Sequence, residues 1–179
     1  MLKGKKIELR AMEKSDAPVY YKIRNDHEAQ AFLSPLGRLP MSMAAIEKRI
    51  EDEEAANAKG KSRNFAVTLK GKFIGVCGYH DYHAQNGNCQ IAIMLAPEHC
   101  GKGLGTDALS VLLDLLFIEL NMRKVQLGVF AENKRAIACY KKLGFVEEGL
   151  FKEQFYRDGK YHDDLEMALF KKDYQRHLK

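Results

Sequence analysis

The sequence predicts a single α/β (α+β) domain with a mixed, mostly antiparallel central sheet and about four flanking helices. Three observations support this fold class. The chain of 179 residues has the length of one domain. Its 46% hydrophobic and 30% charged residues are typical of an ordinary globular protein. Segments with strand and helix periodicity follow one another in the order β-α-α-β-β-β-α-β-α-β-β. We therefore expect residues 1–179 to form one domain.

The first third of the chain predicts one strand and two helices. Apolar and polar residues alternate over residues 7–11, which indicates a strand. Ser15 has the residue type of an N-cap, so we expect a helix from there to about His27. Two prolines exclude a regular helix in the segment FLSPLGRLP. Ser42 then opens a second helix, which Gly60 ends.

The middle of the chain predicts a hairpin followed by a buried strand. Residues 65–69 and 73–79 are two strands joined by the turn Lys70-Gly71-Lys72. The segment NGN at residues 86–88 marks another turn. The segment CQIAIML that follows it is apolar at successive positions, so it predicts a central strand covered on both sides.

The last third predicts two helices and three strands. Apolar residues recur at helical spacing over residues 104–120, and the segment KVQLGVF is the next strand. A short helix over residues 133–143 begins at an asparagine cap and ends at Gly144. The remaining segment predicts two strands joined by a tight turn at Asp158-Gly159.

Charge and cysteine content narrow the class of protein. The net charge of +5 is mild and spread along the chain, so we expect neither nucleic acid nor a membrane as partner. The N-terminus has no apolar run as long as a signal peptide or a membrane span. The four cysteines form no C-x-x-C pair, which favours a reduced, cytoplasmic setting with cysteines as small core residues. They are Cys77, Cys89, Cys100 and Cys139.

A glycine-rich loop precedes the helix that begins at residue 104. In the segment PEHCGKGLGTDAL, glycines stand at 101, 103 and 105. A glycine-rich turn into a helix leaves backbone amides free beside the positive end of the helix dipole. Without side chains, the backbone can approach a pyrophosphate directly, and Lys102 adds charge at the rim. The loop therefore predicts an anion site.

The loop alone leaves other interpretations open. A Walker A loop needs G-x-x-x-x-G-K-[ST], which is absent. The segment GLGTDA formally matches the dinucleotide fingerprint G-x-G-x-x-A, with Glu132 as the ribose acid. That fingerprint belongs on the first strand of repeated β-α-β units, whereas here it comes late and the chain ends in a hairpin. A purely structural turn is the remaining alternative.

A second motif lies on the next helix. In the segment ENKRAIACYKKLGF, Asn133 starts the helix and Tyr140 follows seven positions later. Seven residues are nearly two turns, so the two side chains share one face. Taken singly, Asn133 would be only a helix cap and Tyr140 only a core residue.

Together, the two segments closely resemble motifs of the GNAT superfamily of N-acetyltransferases. The first is similar to its acyl-CoA signature Q/R-x-x-G-x-G/A, with Cys100 in place of the usual glutamine or arginine. The second is similar to its N-x-x-[AS]-x-x-x-Y-x-x-x-G-F helix. The predicted element order also resembles this fold along nearly the whole chain. The opening IELRAMEKSDAPVYYKIRND and the closing hairpin resemble the branch with ribosomal-protein N-terminal acetyltransferases and spermidine acetyltransferases.

The resemblance implies direct transfer of acetyl from acetyl-CoA, as co-substrate, to an amine. It places the pantetheine arm against the strand at Ile93, Met94 and Leu95, with Asn133 binding the arm through its amide. Tyr140 is the implied general acid for the CoA thiolate, because a phenol with a pKa of about 10 stays protonated at neutral pH. The residues implied for the pyrophosphate are Cys100, Gly101, Lys102, Gly103, Leu104, Gly105 and Thr106.

The general base is not evident from the sequence. Many relatives carry an acid early in the central strand, but this chain has Gln90, which is not a useful proton acceptor. His80, Asp81 and His83 lie nearby and are interpreted as exposed loop residues. The pair His80 and His83 lacks a third metal ligand, so we expect no metal. A water chain to solvent would suffice.

The acceptor stays open at this stage. We expect a primary amine, either of a small molecule or of a protein N-terminus. A polyamine is the specific alternative, because the acidic residues Glu47 and 51–54 would suit a polycation, although such a run is commonly a solvated helix face. A non-catalytic acyl-CoA sensor is the alternative from another class, and a homo-oligomer is left open.

Overall fold

A single sheet organises the chain, of which the computed structural model describes residues 1–32, 39–58 and 62–175. Within these ranges the sheet has eight strands in the order β1-β2-β3-β4-β5-β6-β8-β7. The strands are β1 Leu2–Lys3, β2 Ile7–Arg10, β3 Arg63–Leu69, β4 Lys72–His83, β5 Asn88–Leu95, β6 Lys124–Phe130, β7 Val146–Arg157 and β8 Lys160–Phe170. The pair β5–β6 is parallel, and the other neighbours are antiparallel. The mixed, mostly antiparallel sheet is confirmed.

Four α-helices flank this sheet in the described part of the chain. They are α1 Ala17–Asn25, α2 Met43–Ala58, α3 Leu104–Asp114 and α4 Lys134–Lys142. A π-helical turn over Leu115–Glu119 prolongs α3, so the helical segment ends close to the predicted position. The element order agrees with the prediction, apart from the added two-residue strand β1 and short 3-10 turns.

Turn chemistry explains the hairpins β3–β4 and β7–β8. Lys70 and Gly71 have φ of 50° and 76°, and Asp158 and Gly159 have φ of 51° and 80°. Two-residue hairpin turns favour positive φ at both central positions, because this matches the twist of the strands. Both predicted hairpins are confirmed, and β4 runs beyond its predicted end to His83.

Two of the three predicted helix caps are present. The Ser42 hydroxyl accepts from the amide of Ala45 at 3.2 Å, and the Asn133 side chain accepts from the amide of Ala136 at 3.1 Å. The prediction for Ser15 was wrong. Residues 14–16 form a 3-10 turn in which the Asp16 carboxylate accepts from the backbone of Glu13, and α1 begins after it. The predicted irregular segment 32–40 and the stop at Gly60 fall largely or wholly outside the described residues.

The two faces of the sheet carry separate apolar clusters. One face packs against α3 and α4, in a large cluster that includes Leu109, Leu112 and Leu127. The opposite face packs against α1 and α2, in a smaller cluster that includes Tyr20 and Ile46. We call these the α3/α4 face and the α1/α2 face. Side chains alternate between the faces along each strand, so a strand position assigns a residue to one of them.

The chain's first loop is tied to the start of α3. The Asp107 carboxylate accepts from the backbone amides of Lys5 at 2.9 Å, Lys6 at 2.7 Å and Ile7 at 3.1 Å. These three hydrogen bonds join residues about one hundred positions apart in sequence. The first turn of α3 is thereby held beside β2.

The four cysteines differ in how deeply they are buried. Cys77 and Cys89 are buried free thiols, whereas Cys100 and Cys139 are only partly buried, so the prediction of core cysteines holds for the first two. Across residues 1–32, 39–58 and 62–175, no helix has the length and apolarity needed to cross a membrane.

Candidate functional site

The parallel pair β5–β6 separates part-way along its length. Pairing runs through Asn88–Lys124, Cys89–Val125 and Gln90–Gln126, although β5 continues to Leu95 and β6 to Phe130. We call the region beyond Gln90 the strand split. Backbone groups of β5 that face the split have no neighbouring strand in the described chain, so an extended ligand can pair with them as an added strand does.

The predicted pantetheine contacts lie on this edge. Met94 is buried in the α1/α2 face, and Ile93 and Leu95 are half-buried against the α3/α4 face. The prediction that β5 is covered on both sides was wrong at Ala92, which is exposed. It lies two residues beyond Gln90, where pairing with β6 has ended.

The three glycines of the loop have different structural reasons. Gly101 and Gly103 have φ of 73° and 79°, a conformation that side chains disfavour. A Cβ on either residue would have no protein atom within 4 Å, so the space beside them is open. Gly105 lies in the helix, and a Cβ there would sit 3.7 Å from the side chains of Ile93 and Leu95. The loop therefore borders both open space and the split edge of β5.

The start of α3 offers unpartnered amides. Its N-cap is Gly103, and among the described residues no side chain caps this end. The first amides of a helix lack intrahelical partners and carry the positive end of the dipole. Lys102 is exposed at the rim, and Leu104 is buried beneath the loop. A pyrophosphate fits this donor set, as the sequence predicts.

A contact between α3 and α4 closes the far side of the loop. The Thr106 hydroxyl lies 3.2 Å from the Cys139 sulfur. Burial raises the pKa of the Cys139 thiol and also that of Cys100, whose sulfur lies 3.7 Å from the carbonyl of Ala96. Both sulfurs therefore remain thiols at neutral pH and are weak nucleophiles.

Asn133 and Tyr140 lie on the inward face of α4, as their spacing predicts. The Asn133 oxygen is used in capping the helix, which leaves its NH₂ group as the donor for a ligand. Tyr140 is 9% exposed, and its ring meets that of Phe145 edge-on with centroids 5.9 Å apart. Burial raises the pKa of the Tyr140 phenol above its ordinary value. The described residues provide no hydrogen-bond partner to its hydroxyl.

The residues considered as a general base in the sequence do not form one cluster. Gln90 stands where the pairing ends, between His80 of β4 and Gln126 of β6. The His80 ring contacts the Asp81 carboxylate at 3.1 Å; the His80 side chain is about half-exposed and that of Asp81 is exposed. No group of three metal-ligating side chains exists among the described residues.

Sequence reasoning missed a pair of carboxylates on β8. Asp164 and Glu166 approach the backbone of Gly128, where a Cβ would lie 3.0 Å and 3.1 Å from their nearest oxygens. Asp164 is only 8% exposed, and burial raises its pKa. Burial, Asp164 and Glu148 together raise the pKa of Glu166. The alternating acids in HDDLE were the signal, but their meaning depends on which strand pairs with β8.

Comparisons with known proteins agree with this geometry. The sequence matches the acetyltransferase (GNAT) domain family over residues 6–146. The spermidine N(1)-acetyltransferase of Vibrio cholerae serotype O1 is 31% identical over 169 residues, which are 93% of this chain and 94% of that protein. A crystal structure of spermidine N-acetyltransferase from Vibrio cholerae with CoA and spermine has a TM-score of 0.83 at 28% identity, covering 94% of this chain and 98% of that one. A putative ribosomal N-acetyltransferase of Bacillus subtilis is 29% identical over 105 residues, 59% of this chain and 57% of that protein.

The chain belongs to the GNAT acetyltransferase family. It is an N-acetyltransferase that uses acetyl-CoA as co-substrate. The resemblance drawn from the two sequence motifs is confirmed, including the branch with spermidine and ribosomal N-acetyltransferases.

Proposed function

We propose that this enzyme acetylates a primary amine and binds acetyl-CoA along the strand split. The observation that carries the proposal is the end of β5–β6 pairing at Gln90, close to the uncapped start of α3. An extended pantetheine arm pairs with the backbone at Ile93, Met94 and Leu95. The amide of Asn133 donates to the same arm.

The pyrophosphate binds at the glycine loop in this proposal. Its contacts are the loop and first helical turn, namely Cys100, Gly101, Lys102, Gly103, Leu104, Gly105 and Thr106. The open space beside Gly101 and Gly103, and the uncapped amides of α3, support this assignment. Cys100 acts through its backbone, because a partly buried thiol with a raised pKa contributes little polar contact.

Tyr140 is the general acid of the proposed mechanism. When the C–S bond breaks, the phenol donates its proton to the departing sulfur. A phenol whose pKa is raised by burial is fully protonated at neutral pH and so is ready to donate. The absence of a protein partner for its hydroxyl, among the described residues, leaves that hydroxyl available to the reaction.

A polyamine is the second candidate acceptor. The name of the Vibrio cholerae relative supports it. The acidic face of α2 gives weaker support, since Glu51 already pairs with Lys14 at 2.6 Å and is exposed. A protein N-terminus is the other form of primary amine in this proposal.

An acceptor panel tests these proposals directly. Release of CoA is measured with polyamines, amino acids and N-terminal peptides, and thermal shifts are measured with acetyl-CoA, CoA, NAD and NADP. We expect stabilisation by acetyl-CoA and CoA, and CoA release with at least one amine. Stabilisation by acetyl-CoA without turnover of any amine would support the non-catalytic sensor instead.

The assembly and location of the enzyme are also proposals. Exposed apolar side chains along β7, including Val146, Leu150 and Phe151, support a homo-oligomer. Light scattering of the purified protein tests this. The four free thiols suit the reducing cytoplasm.

A further inference from the structure

The acidic pair on β8 lies on the face of the sheet where α3 and α4 are absent. Glu166 stands opposite Gly128 in the β6–β8 pairing. Gly128 alternates with Leu127 and Val129, which belong to the α3/α4 face. Gly128 and Glu166 therefore lie on the α1/α2 face, and the Asp164 carboxylate reaches the same place.

This place adjoins the strand split. Gln90 and Gln126 are the last paired residues of β5 and β6, and Ala92 and Gly128 stand two residues further along their strands. Ala92 is exposed, and Gly128 has no side chain to fill the space above it. The carboxylates therefore extend from β8 over Gly128 of β6. They lie on the α1/α2 face, from which an acceptor can reach the strand split without passing α3 or α4.

Asp164 itself points to a ligand. The residue is 8% exposed, yet the described residues provide no hydrogen-bond donor to its carboxylate. A carboxylate that is largely shielded from water and has no hydrogen-bond donor from the protein is costly to keep ionised. A ligand that brings a positive charge or hydrogen-bond donors would remove that cost.

We propose that Asp164 and Glu166 bind the acceptor as its ammonium ion, and that Asp164 takes the proton that must leave before attack. The inference rests on the proposed function and extends it. It assigns this chain's proton acceptor to β8, whereas β5 carries the unsuitable Gln90. The substrate class is a cationic primary amine.

The proton balance is as follows. The ammonium gives one proton to the Asp164 carboxylate, and the neutral nitrogen attacks the thioester carbon. A C–N bond forms and the C–S bond breaks, and sulfur takes a proton from Tyr140. The nitrogen loses its second proton as the amide forms, which restores the Tyr140 phenol, and Asp164 returns its proton to solvent. The products are the acetamide, CoA thiol and one released proton.

Both acidic and basic side chains lie near Asp164 and Glu166. Glu148 of β7 is paired with Lys124 of β6 at 2.6 Å, and the Lys124 charge partly opposes the rise in the pKa of Glu166. The Arg157 guanidinium stacks on Phe130 at 4.5 Å, and His162 contacts Glu132 at 3.0 Å. Burial raises the pKa of Asp164, which makes it a stronger proton acceptor than an ordinary aspartate.

The test compares Asp164→Asn with Asp163→Asn. Asp163 is the neighbouring carboxylate, accepts from the backbone of Glu153 at 2.8 Å, and keeps an acceptor oxygen when changed to Asn. We expect Asp164→Asn to lower kcat about 100-fold at neutral pH, and Asp163→Asn to leave it nearly unchanged. The loss should shrink as the pH approaches the ammonium pKa of about 10.4, because solvent then supplies the neutral amine. An unchanged kcat, or a loss that is constant with pH, would overturn the proposal.

A binding measurement separates this proposal from the proposed function. Spermidine is titrated calorimetrically into the CoA-saturated wild type and into Asp164→Asn/Glu166→Gln. We expect at least tenfold weaker binding in the double variant, with CoA affinity unchanged. Equal spermidine affinity would overturn the subsite. If spermidine binding depends on the two carboxylates but no CoA is released from acetyl-CoA, the result would support the binding subsite. It would contradict the proposal that the bound amine is acetylated.

Stability provides a readout that a merely structural aspartate would not give. A carboxyl whose folded-state pKa is raised loses stability as pH rises from its unfolded pKa through its folded pKa. Because burial raises the pKa of Asp164, the wild type carries more of this cost at neutral pH than in acid, and Asp164→Asn carries none of it. We expect the variant to unfold at higher urea concentration at neutral pH, and this gain to vanish in acid. A variant less stable than the wild type would show a structural role and overturn the proposal.

Discussion

The two faces of the sheet differ in how their sites are built. On the α3/α4 face, the proposed cofactor contacts come from three short segments, in β5, the glycine loop and the start of α4, and the glycine loop acts through its backbone conformation in this proposal. On the α1/α2 face, the acidic pair sits on β8, the space above it comes from Gly128 of β6, and the nearest edge belongs to β5. A site made by local backbone leaves a contiguous motif, whereas a site made by strand order leaves scattered residues.

The largest expected effect on the α3/α4 face is that of Tyr140→Phe. Loss of the proton donor should lower kcat about 100-fold, equivalent to about 2.7 kcal/mol in the activation free energy. The KM for acetyl-CoA should change little, because the interaction matters when charge develops on sulfur. The ring and its contact with Phe145 remain, so stability should be preserved. Steady-state kinetics, under conditions where chemistry limits the rate, provide the measurement.

The control for that experiment is Tyr20→Phe. Tyr20 is also buried and meets Phe73 edge-on at 6.2 Å, but it lies in the cluster of the α1/α2 face. It should keep the wild-type kcat. A Tyr140→Phe enzyme that matches this control would return Tyr140 to a packing role and remove the general acid from the mechanism.

Much of the fold followed from the sequence because its signals are local. The caps at Ser42 and Asn133 and the two hairpin turns depend on neighbouring residues, and all were predicted. Ser15 failed as a cap because Asp16, one residue later, pairs with Arg10 at 2.7 Å and accepts from the backbone. That competition involves β2, so the helix sequence alone did not reveal it.

The same distinction between local and long-range signals applies to the candidate site. The pairing of β8 with β6 rather than with β5 decides that Asp164 and Glu166 reach Gly128. β8 enters between β6 and β7, so residues about forty positions apart meet at one point. Strand order is a global property, and no spacing within the sequence specified it.

A second variant tests how the α3/α4 face is held in place. Asp107→Ala removes the acceptor of three backbone amides and should lower the free energy of unfolding by about 2 kcal/mol. Urea unfolding measures the loss. Asp173→Ala, an exposed aspartate near the C-terminal end of the described chain, is the control and should change stability little. Equal stability of the two variants would mean that solvent replaces these hydrogen bonds without cost.

Gly103→Val should raise the KM for acetyl-CoA about tenfold or more. The valine methyl groups would enter the open space assigned to the pyrophosphate. Valine also disfavours a φ of 79°, so strain must be separated from ligand contact. Gly71→Val is the matched control, because Gly71 has a φ of 76° and equally open surroundings in a distant hairpin. Calorimetry checks that both variants are folded. If both then keep the wild-type KM for acetyl-CoA, the loop is structural only.

The smallest expected effect is that of Cys100→Ala, which should retain most of the activity. Cys100 replaces a polar residue of the family signature, so its sulfur is the obvious place to look for new chemistry. Burial raises its pKa, and the sulfur lies near a backbone carbonyl rather than a base. A thiol held in this state is a poor nucleophile, and direct transfer to an amine needs no acyl-enzyme. Kinetics together with mass spectrometry of the enzyme after acetyl-CoA treatment provide the test. An acetylated Cys100, together with loss of turnover in Cys100→Ala, would show that the Cys100 side chain takes part in the reaction. The glycine loop would then not act through its backbone alone.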